Sequence, residues 1–173
     1  GCTIDAEAGT VTGNIKIEHG TISELHLNGL ISIDGELEIE NCPLLTHIDF
    51  GALTNVTHAK FQDLHGLSTL DWPSLIEVSG ELEIEECASL SSIAMPNLVR
   101  AGELKFEDLP LLASLELPSL VEVVDEMGSD KSSLELDELW SLTSVSFPIL
   151  ASVGGELGVK DCSALERAFR LPN

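Results

Sequence analysis

Apolar and polar residues alternate in short bursts along this chain, and the bursts recur at a fixed distance. The first apolar residue of a Leu-x-Ile-like pair falls at Ile15, Leu37, Ala59, Leu82, Leu104, Leu134 and Leu157, with spacings of 22, 22, 23, 22, 30 and 23. Two residues on stand Ile17, Ile39, Phe61, Ile84, Phe106, Leu136 and Val159. Alternation of this kind predicts a half-buried strand with one face inward. The rest of each period keeps register. Leu45, Leu67, Leu90, Leu112, Leu142 and Leu165 form one inward column, and Ile48, Leu70, Ile93, Leu115 and Val145 another. Phe50, Trp72, Met95, Leu117 and Phe147 follow, and Val56, Val78, Ala101, Val123 and Val153 close the period. Gly13, Gly35, Gly80, Gly102 and Gly155 precede the first pair, where a tight turn or a positive φ is expected.

A period of about 22 residues leaves no room for the connecting helices of an alternating α/β fold. Pro73, Pro96, Pro118 and Pro148 interrupt the stretch that an outer helix would need. The pattern therefore predicts an all-β, right-handed parallel β-solenoid of about seven coils, each bonding only to its neighbours. A single domain is expected over residues 1–173. Residues 1–12 form an N-terminal cap, 13–165 the repeats, and 166–173 a C-terminal cap. An insertion near 124–133 maps to a corner loop.

Charge narrows the function. Thirty acidic residues against eight basic ones give a formal charge of −22, which argues against nucleic acid and against anionic membrane. No apolar run reaches the roughly 18 residues of a membrane span, so no direct membrane insertion is expected. Aromatics make up only 4%. They offer little material for a broad hot-spot interface.

The stretches "GELEIENCPLLTHIDFGALTNV" and "GELEIEECASLSSIAMPNLVRAG" resemble the repeats of the fungal cell-wall-organisation proteins. Those are GPI-anchored surface glycoproteins whose leucine-rich-repeat-like coils are similar to the receptor L domain. The matching elements are the Gly-x-Leu-x-Ile strand, the Asn or Cys that follows, the Leu-x-x-Leu step and the Pro-x-Leu-x-x-Val closure, over about residues 13–165. The resemblance implies a secreted or cell-surface protein of the cell wall that supports wall organisation by interaction or mechanical role, with no catalytic constellation to carry over. The alternative is a recognition module for a glycan or a protein receptor. Asn55, in the Asn-Val-Thr sequon, is the glycosylation candidate.

The residues themselves add candidates. Cys42, Cys87 and Cys162 share an inward column, two and three coils apart, too far for a disulfide; Cys2 is free to pair, and Cys42 is its expected partner. On the first strand the outward middle column reads Lys16, Glu38, Lys60, Glu83, Lys105, Glu135, so charges alternate from coil to coil. The flanking columns, Glu36, His58, Glu81, Glu103 on one side and Glu18, Glu40, Gln62, Glu85, Glu107, Asp137 on the other, stack like charges that repel. Glu85, Glu86, Glu107 and Asp108 are weak metal candidates, suited at most to weak Ca2+ association; no cofactor is expected.

Thr69, Ser92, Ser114 and Ser144 form a hydroxyl column on the second strand, a candidate surface for cell-wall polysaccharide. Ile76, Val99 and Val121 form an apolar column, and Met127 and Trp140, read as neighbours at the insertion, complete the candidates for a surface-protein partner. No nucleophile elbow, zinc-binding helix motif or phosphate loop is present, so no enzyme is expected.

Overall fold

The computed structural model describes residues 9–124 and 133–165, together with the backbone of Cys2 and Thr3. In chain order the strands are β1 (Cys2–Thr3), β2 (Thr10–Val11), β3 (Ile15–Glu18), β4 (Glu24–His26), β5 (Ser32–Glu40) and β6 (His47–Asp49). Then come β7 (Asn55–Gln62), β8 (Thr69–Asp71), β9 (Glu77–Glu85), β10 (Ser92–Ala94), β11 (Arg100–Glu107) and β12 (Ser114–Glu116). Last are β13 (Glu122–Val123), β14 (Leu134–Asp137), β15 (Ser144–Ser146), β16 (Ser152–Val153) and β17 (Leu157–Lys160). All strand pairs are parallel, and partners lie one repeat apart: Leu37 opposite Ile15 and Ala59, Leu82 opposite Ala59 and Leu104, Leu134 opposite Leu104 and Leu157. The columns read from spacing are thus the ladder register itself.

The protein is a parallel β-solenoid of about six turns with almost no helix. The expected seventh coil is only begun: β17 has no second- or third-face strand after it among the described residues. At the other end, most of the expected N-terminal cap at 1–12 lies outside the described residues. Cys2 pairs with Leu25 and Val11 with Ile33, so β1 and β2 extend the second and third faces by one layer. The insertion at 125–132, with Met127, and the expected C-terminal cap at 166–173 lie outside the described residues.

The third face runs into the next first face without a break, giving strands of eight or nine residues (β5, β7, β9 and β11) with a register shift at each bend. The bend is where the repeated glycine sits, but only Gly13 among these has a positive φ (127°). The need at Gly102 is closeness: a Cβ there would lie 2.7 Å from the carbonyl oxygens of both Ser79 and Gly80. Left-handed backbone falls instead at the next corner, once per coil. His19, Asn41, Asp63, Glu86, Asp108, Glu138 and Asp161 all have φ between 47° and 56°. Asn and Asp tolerate this conformation better than other residues with a Cβ, which accounts for their prevalence here. Glu86→Asn should therefore raise stability by about 0.5 kcal/mol, and Asp108→Val should lower it by about 1–2 kcal/mol. Urea titrations of both variants check this; equal stabilities would show that the corner carries no conformational cost.

Inside, Leu25, Leu37, Leu45, Leu67, Leu82, Leu104 and their column mates are fully buried. Phe50, Phe61 and Trp72 make an aromatic layer in this core. Phe50 stacks on Trp72 at 4.2 Å between centroids and 7° between planes, and Phe61 meets Trp72 edge-on at 6.2 Å. The indole Nε1–H of Trp72 donates to the Leu53 carbonyl at 2.8 Å. The three cysteines 42, 87 and 162 are buried free thiols. The expected Cys2–Cys42 disulfide is therefore not formed. Cys42 Sγ lies 3.3 Å from the Glu40 carbonyl, at the first corner, whereas Cys2 aligns with Leu25 on the second face. Burial pushes the Cys87 thiol up to about 12, far from reactive thiolate character.

Candidate interaction surfaces

Parallel, in-register strands bring each outward residue to within about 4.8 Å of its copies above and below. On the first face this creates two ion-pair groups, one around Lys16 and one shared by Lys60 and Lys105. Lys16 Nζ contacts Glu38 at 2.7 Å and Glu18 at 2.9 Å. Lys60 Nζ reaches Glu40, Glu83 and Glu85 at 3.5, 3.2 and 3.0 Å. Lys105 Nζ reaches Glu83, Glu85 and Glu107 at 2.7, 3.3 and 2.8 Å. The alternating column behaves as its sequence predicts. The acidic column beside it is not left to repel, because each lysine reaches diagonally into it.

Hydrogen bonds to Glu38 and then Glu18 raise the Lys16 ammonium above its ordinary range. Partial burial pulls the Lys60 and Lys105 ammoniums down, but their carboxylate partners outweigh it and both are raised. Lys16 in turn holds the Glu38 carboxyl below its usual range. Glu83 loses hydration, which pushes it up, yet Lys105 and Lys60 together bring it below its usual value. Glu40 is raised, first by lost hydration and then by the Glu38 carboxylate beside it.

Glu40 supplies a pH prediction. Its folded pKa lies above the unfolded value, so its contribution is fully present below about pH 4.5 and is lost as pH rises through the folded value. Glu40→Gln should stabilise the protein at pH 8 by about 0.2–1 kcal/mol, the usual cost of facing like charges, and give no gain at pH 4. Thermal melts of the two proteins at both pH values check the sign. Destabilisation at pH 8 would mean that the Lys60 contact outweighs the repulsion.

On the opposite flank, the stack of carboxylates is broken by residues that close the bends. The Glu36 N–H donates to Asn14 Oδ1 and the Glu81 N–H to His58 Nδ1, both at 3.0 Å, satisfying amides that the register shift frees from the ladder. Ser133 Oγ donates to Glu103 Oε1 at 2.8 Å. Glu81 is raised by lost hydration and then by Glu83 and Glu103.

The expected metal candidates are redistributed by this geometry. Glu85 and Glu107 face ammonium groups, and Glu86 and Asp108 are left-handed corner residues. The carboxylates of Glu18, Glu38 and Glu40 do approach within 4.8 Å of one another, with Lys16 paired to the first two.

The second face separates two kinds of hydroxyl. Thr46, Ser91 and Thr143 donate to the carbonyls of Ser23, Ser68 and Ala113 one coil below, at 3.1, 3.2 and 3.1 Å. Thr69, Ser92, Ser114 and Ser144 are exposed, with Thr69 aligned to Ser92 and Ser114 to Ser144. Their hydroxyls bond no group among the described residues. A shallow groove of about 240 Å3 opens beside Thr69, with His47, Asp49 and Asp71 along its walls. Asp49 is held below the usual carboxylate range by the Gly51 N–H at 2.9 Å and by His26, whose Nδ1 lies 3.6 Å away.

At the start of the third face, Ile31, Thr54, Ile76, Val99, Val121 and Ala151 stack through successive backbone bonds, including Val99 N–H to Ile76 O at 2.8 Å and Val121 N–H to Val99 O at 2.9 Å. Ile76 is 45% exposed and Ile31 54%. Beside this stripe runs a polar ladder of Asn55, Glu77, Arg100 and Glu122, in which Arg100 Nε contacts Glu122 at 2.8 Å. Asn55, the sequon residue, is half-buried in this ladder. Trp140 is 52% exposed. It sits between the first and second faces after β14, while Met127, the residue read beside it, lies outside the described residues.

Among the described residues no helix is long and apolar enough to cross a membrane. Comparison with protein-family models, with curated proteins and with solved structures finds no match to this chain.

Proposed function

We propose that this chain is a non-catalytic, extracellular or cell-surface repeat domain that supports cell-wall organisation through lateral interaction. The observation that carries the reading is the stripe of Ile31, Ile76, Val99 and Val121, exposed at the two isoleucines and half-buried at the two valines, one apolar residue in most coils, beside the polar ladder from Asn55 to Glu122. An apolar strip with a charged rim has the anatomy of a protein interface. The ionisable groups of the first face pair with one another along the rod. That arrangement supports a structural use for them better than a convergent catalytic one. The resemblance to fungal cell-wall repeats supplies the wall, surface and glycoprotein setting.

Recognition of a glycan is the second reading, favoured by the uncommitted hydroxyls of Thr69, Ser92, Ser114 and Ser144. Co-sedimentation with insoluble cell-wall material, with and without attached protein, separates the two. Under the first reading, retention depends on wall protein and is lost in Ile76→Ser/Val99→Ser/Val121→Ser. Retention on protein-free polysaccharide that Thr69→Ala/Ser92→Ala abolishes favours recognition. Release of new reducing ends, abolished by changing one acidic pair, would overturn both.

A further inference from the structure

The second face, unlike the other two, is not one continuous ladder. The first and third faces join in a ten-stranded sheet, whereas the second divides into β1–β4–β6, β8–β10 and β12–β15, so the facing edges of β6 and β8 do not pair as strands. An unpaired strand edge presents backbone N–H and C=O groups. The groove of about 240 Å3 lies at this break: His47 and Asp49 come from β6, Thr69 and Asp71 from β8, and Gly51 and Pro73 line it at the corner that follows.

The side chains of the groove set its chemistry. Asp49 is held in place, with one oxygen accepting from the Gly51 N–H at 2.9 Å and the other 3.6 Å from His26 Nδ1. Asp71, one repeat on, has no hydrogen bond or ion pair among the described residues. On the first face, carboxylates of adjacent coils take a lysine ammonium between them, as Glu40 and Glu83 do with Lys60. No lysine stands in the column of Asp49 and Asp71, so the matching ammonium has to come from outside. The uncommitted hydroxyl of Thr69 and the exposed imidazole of His47 add donors and acceptors of the mixed kind that a polyol needs. The volume lies below the roughly 300–1,000 Å3 of drug-sized sites and suits a single ring. A metal ion fits less well, because the described carboxylates that approach within 4.8 Å of one another are those of Glu18, Glu38 and Glu40, on a different face.

We propose that this groove binds one unit of an amino-sugar chain, with its free ammonium between Asp49 and Asp71 and its hydroxyls on Thr69 and the unpaired strand edges. The proposal rests on the glycan-recognition reading and gives it a site and a ligand class. Ser92, aligned with Thr69 one coil on, continues the hydroxyl row for the next sugar. Acetylation of the amine removes the charge that the two carboxylates select, so the acetylated sugar is disfavoured. The formal charge of −22 attracts any polycation, and local recognition therefore has to be separated from general attraction.

Titration calorimetry of the full chain with a glucosamine tetramer, in about 0.15 M salt and a chelator, tests the proposal. The expected result is saturable binding that weakens about tenfold in Asp71→Asn and about threefold in Thr69→Val, with the N-acetylated and neutral glucose tetramers bound at least about tenfold less tightly. Glu116→Gln removes the same charge elsewhere on the face and should change affinity by less than about twofold. Asp71, Thr69 and Glu116 are exposed, and unchanged circular dichroism confirms folding. Equal weakening by Asp71→Asn and Glu116→Gln overturns the proposal in favour of general attraction. Equal affinity for N-acetyl-lysine amide overturns it in favour of a simple ammonium site, and binding that needs added Zn2+ in favour of a metal. A neutral glucan that binds and is lost in Thr69→Ala/Ser92→Ala, with no binding of glucosamine, overturns this proposal while the glycan reading stands; no binding of any glycan removes both.

Discussion

Replacing Trp72 by alanine should cost about 3–5 kcal/mol, the range for truncating a large buried aromatic, and lower the melting temperature by on the order of 10 °C. Trp72 is the largest fully buried side chain, stacked on Phe50 and edge-on to Phe61, so its loss opens a cavity spanning adjacent coils. It also leaves the Leu53 carbonyl without the indole donor at 2.8 Å. Trp72→Phe separates the two effects. It keeps much of the stacking and should cost about 1–3 kcal/mol through the unpaired carbonyl and the smaller ring. In a solenoid each coil is stabilised mainly by its neighbours, so the damage spreads along the rod. Denaturant titrations followed by circular dichroism give both numbers. A loss under about 1 kcal/mol for the alanine variant would show that the aromatic layer is not the centre of the core.

Lys105→Met should be the most damaging change on the surface, at about 2 kcal/mol near neutral pH, between the values for exposed and buried ion pairs. Its ammonium serves Glu83, Glu85 and Glu107, and the first two have side chains only 14% and 12% exposed. Lys60 still reaches Glu83 and Glu85 but has no contact with Glu107. The sign with pH follows from the shifts. The Lys105 pKa is raised, so its contribution is present throughout neutral pH and is lost only as pH rises through the folded value, above 10.5. Glu83 is lowered, so its contribution is present above about pH 4.5 and is lost as pH falls through its folded value. The difference between Lys105→Met and the unaltered protein should therefore shrink on acidification below about pH 4. Urea titrations near pH 7 and pH 3 test this, and an equal loss at both would assign the effect to packing of the lysine stem.

The inward columns were legible because a parallel ladder requires partners one period apart, and a 22-residue period survives in the sequence as repeated apolar positions. The alternating Lys16-to-Glu135 column was legible for the same reason. The diagonal reach of Lys60 to Glu85 and of Lys105 to Glu107 was not. A column alignment records what stacks, whereas a long flexible side chain chooses among carboxylates of several columns. The acidic flank read from sequence as a repelling stack is therefore largely neutralised from its side. The Cys2–Cys42 pairing failed similarly: counting coils gave an approximate height along the rod, but the face on which Cys2 lies depended on β1 pairing with β4.

By itself the sequence determined the fold class, the register of the coils and the residues of the core, because burying one apolar face in a short repeat has few solutions other than stacking. Only the tertiary structure decided where the backbone turns left-handed, since Asn41, Glu86 and Asp108 share a conformation that their side-chain chemistry does not jointly announce. It alone decided which hydroxyls are committed, because whether Thr46 or Thr69 donates to the coil below depends on a carbonyl supplied from a different repeat. It also decided that β1 and β2 continue the second- and third-face ladders by one layer, a property of which strands find neighbours and hence of the whole stack rather than of any single repeat.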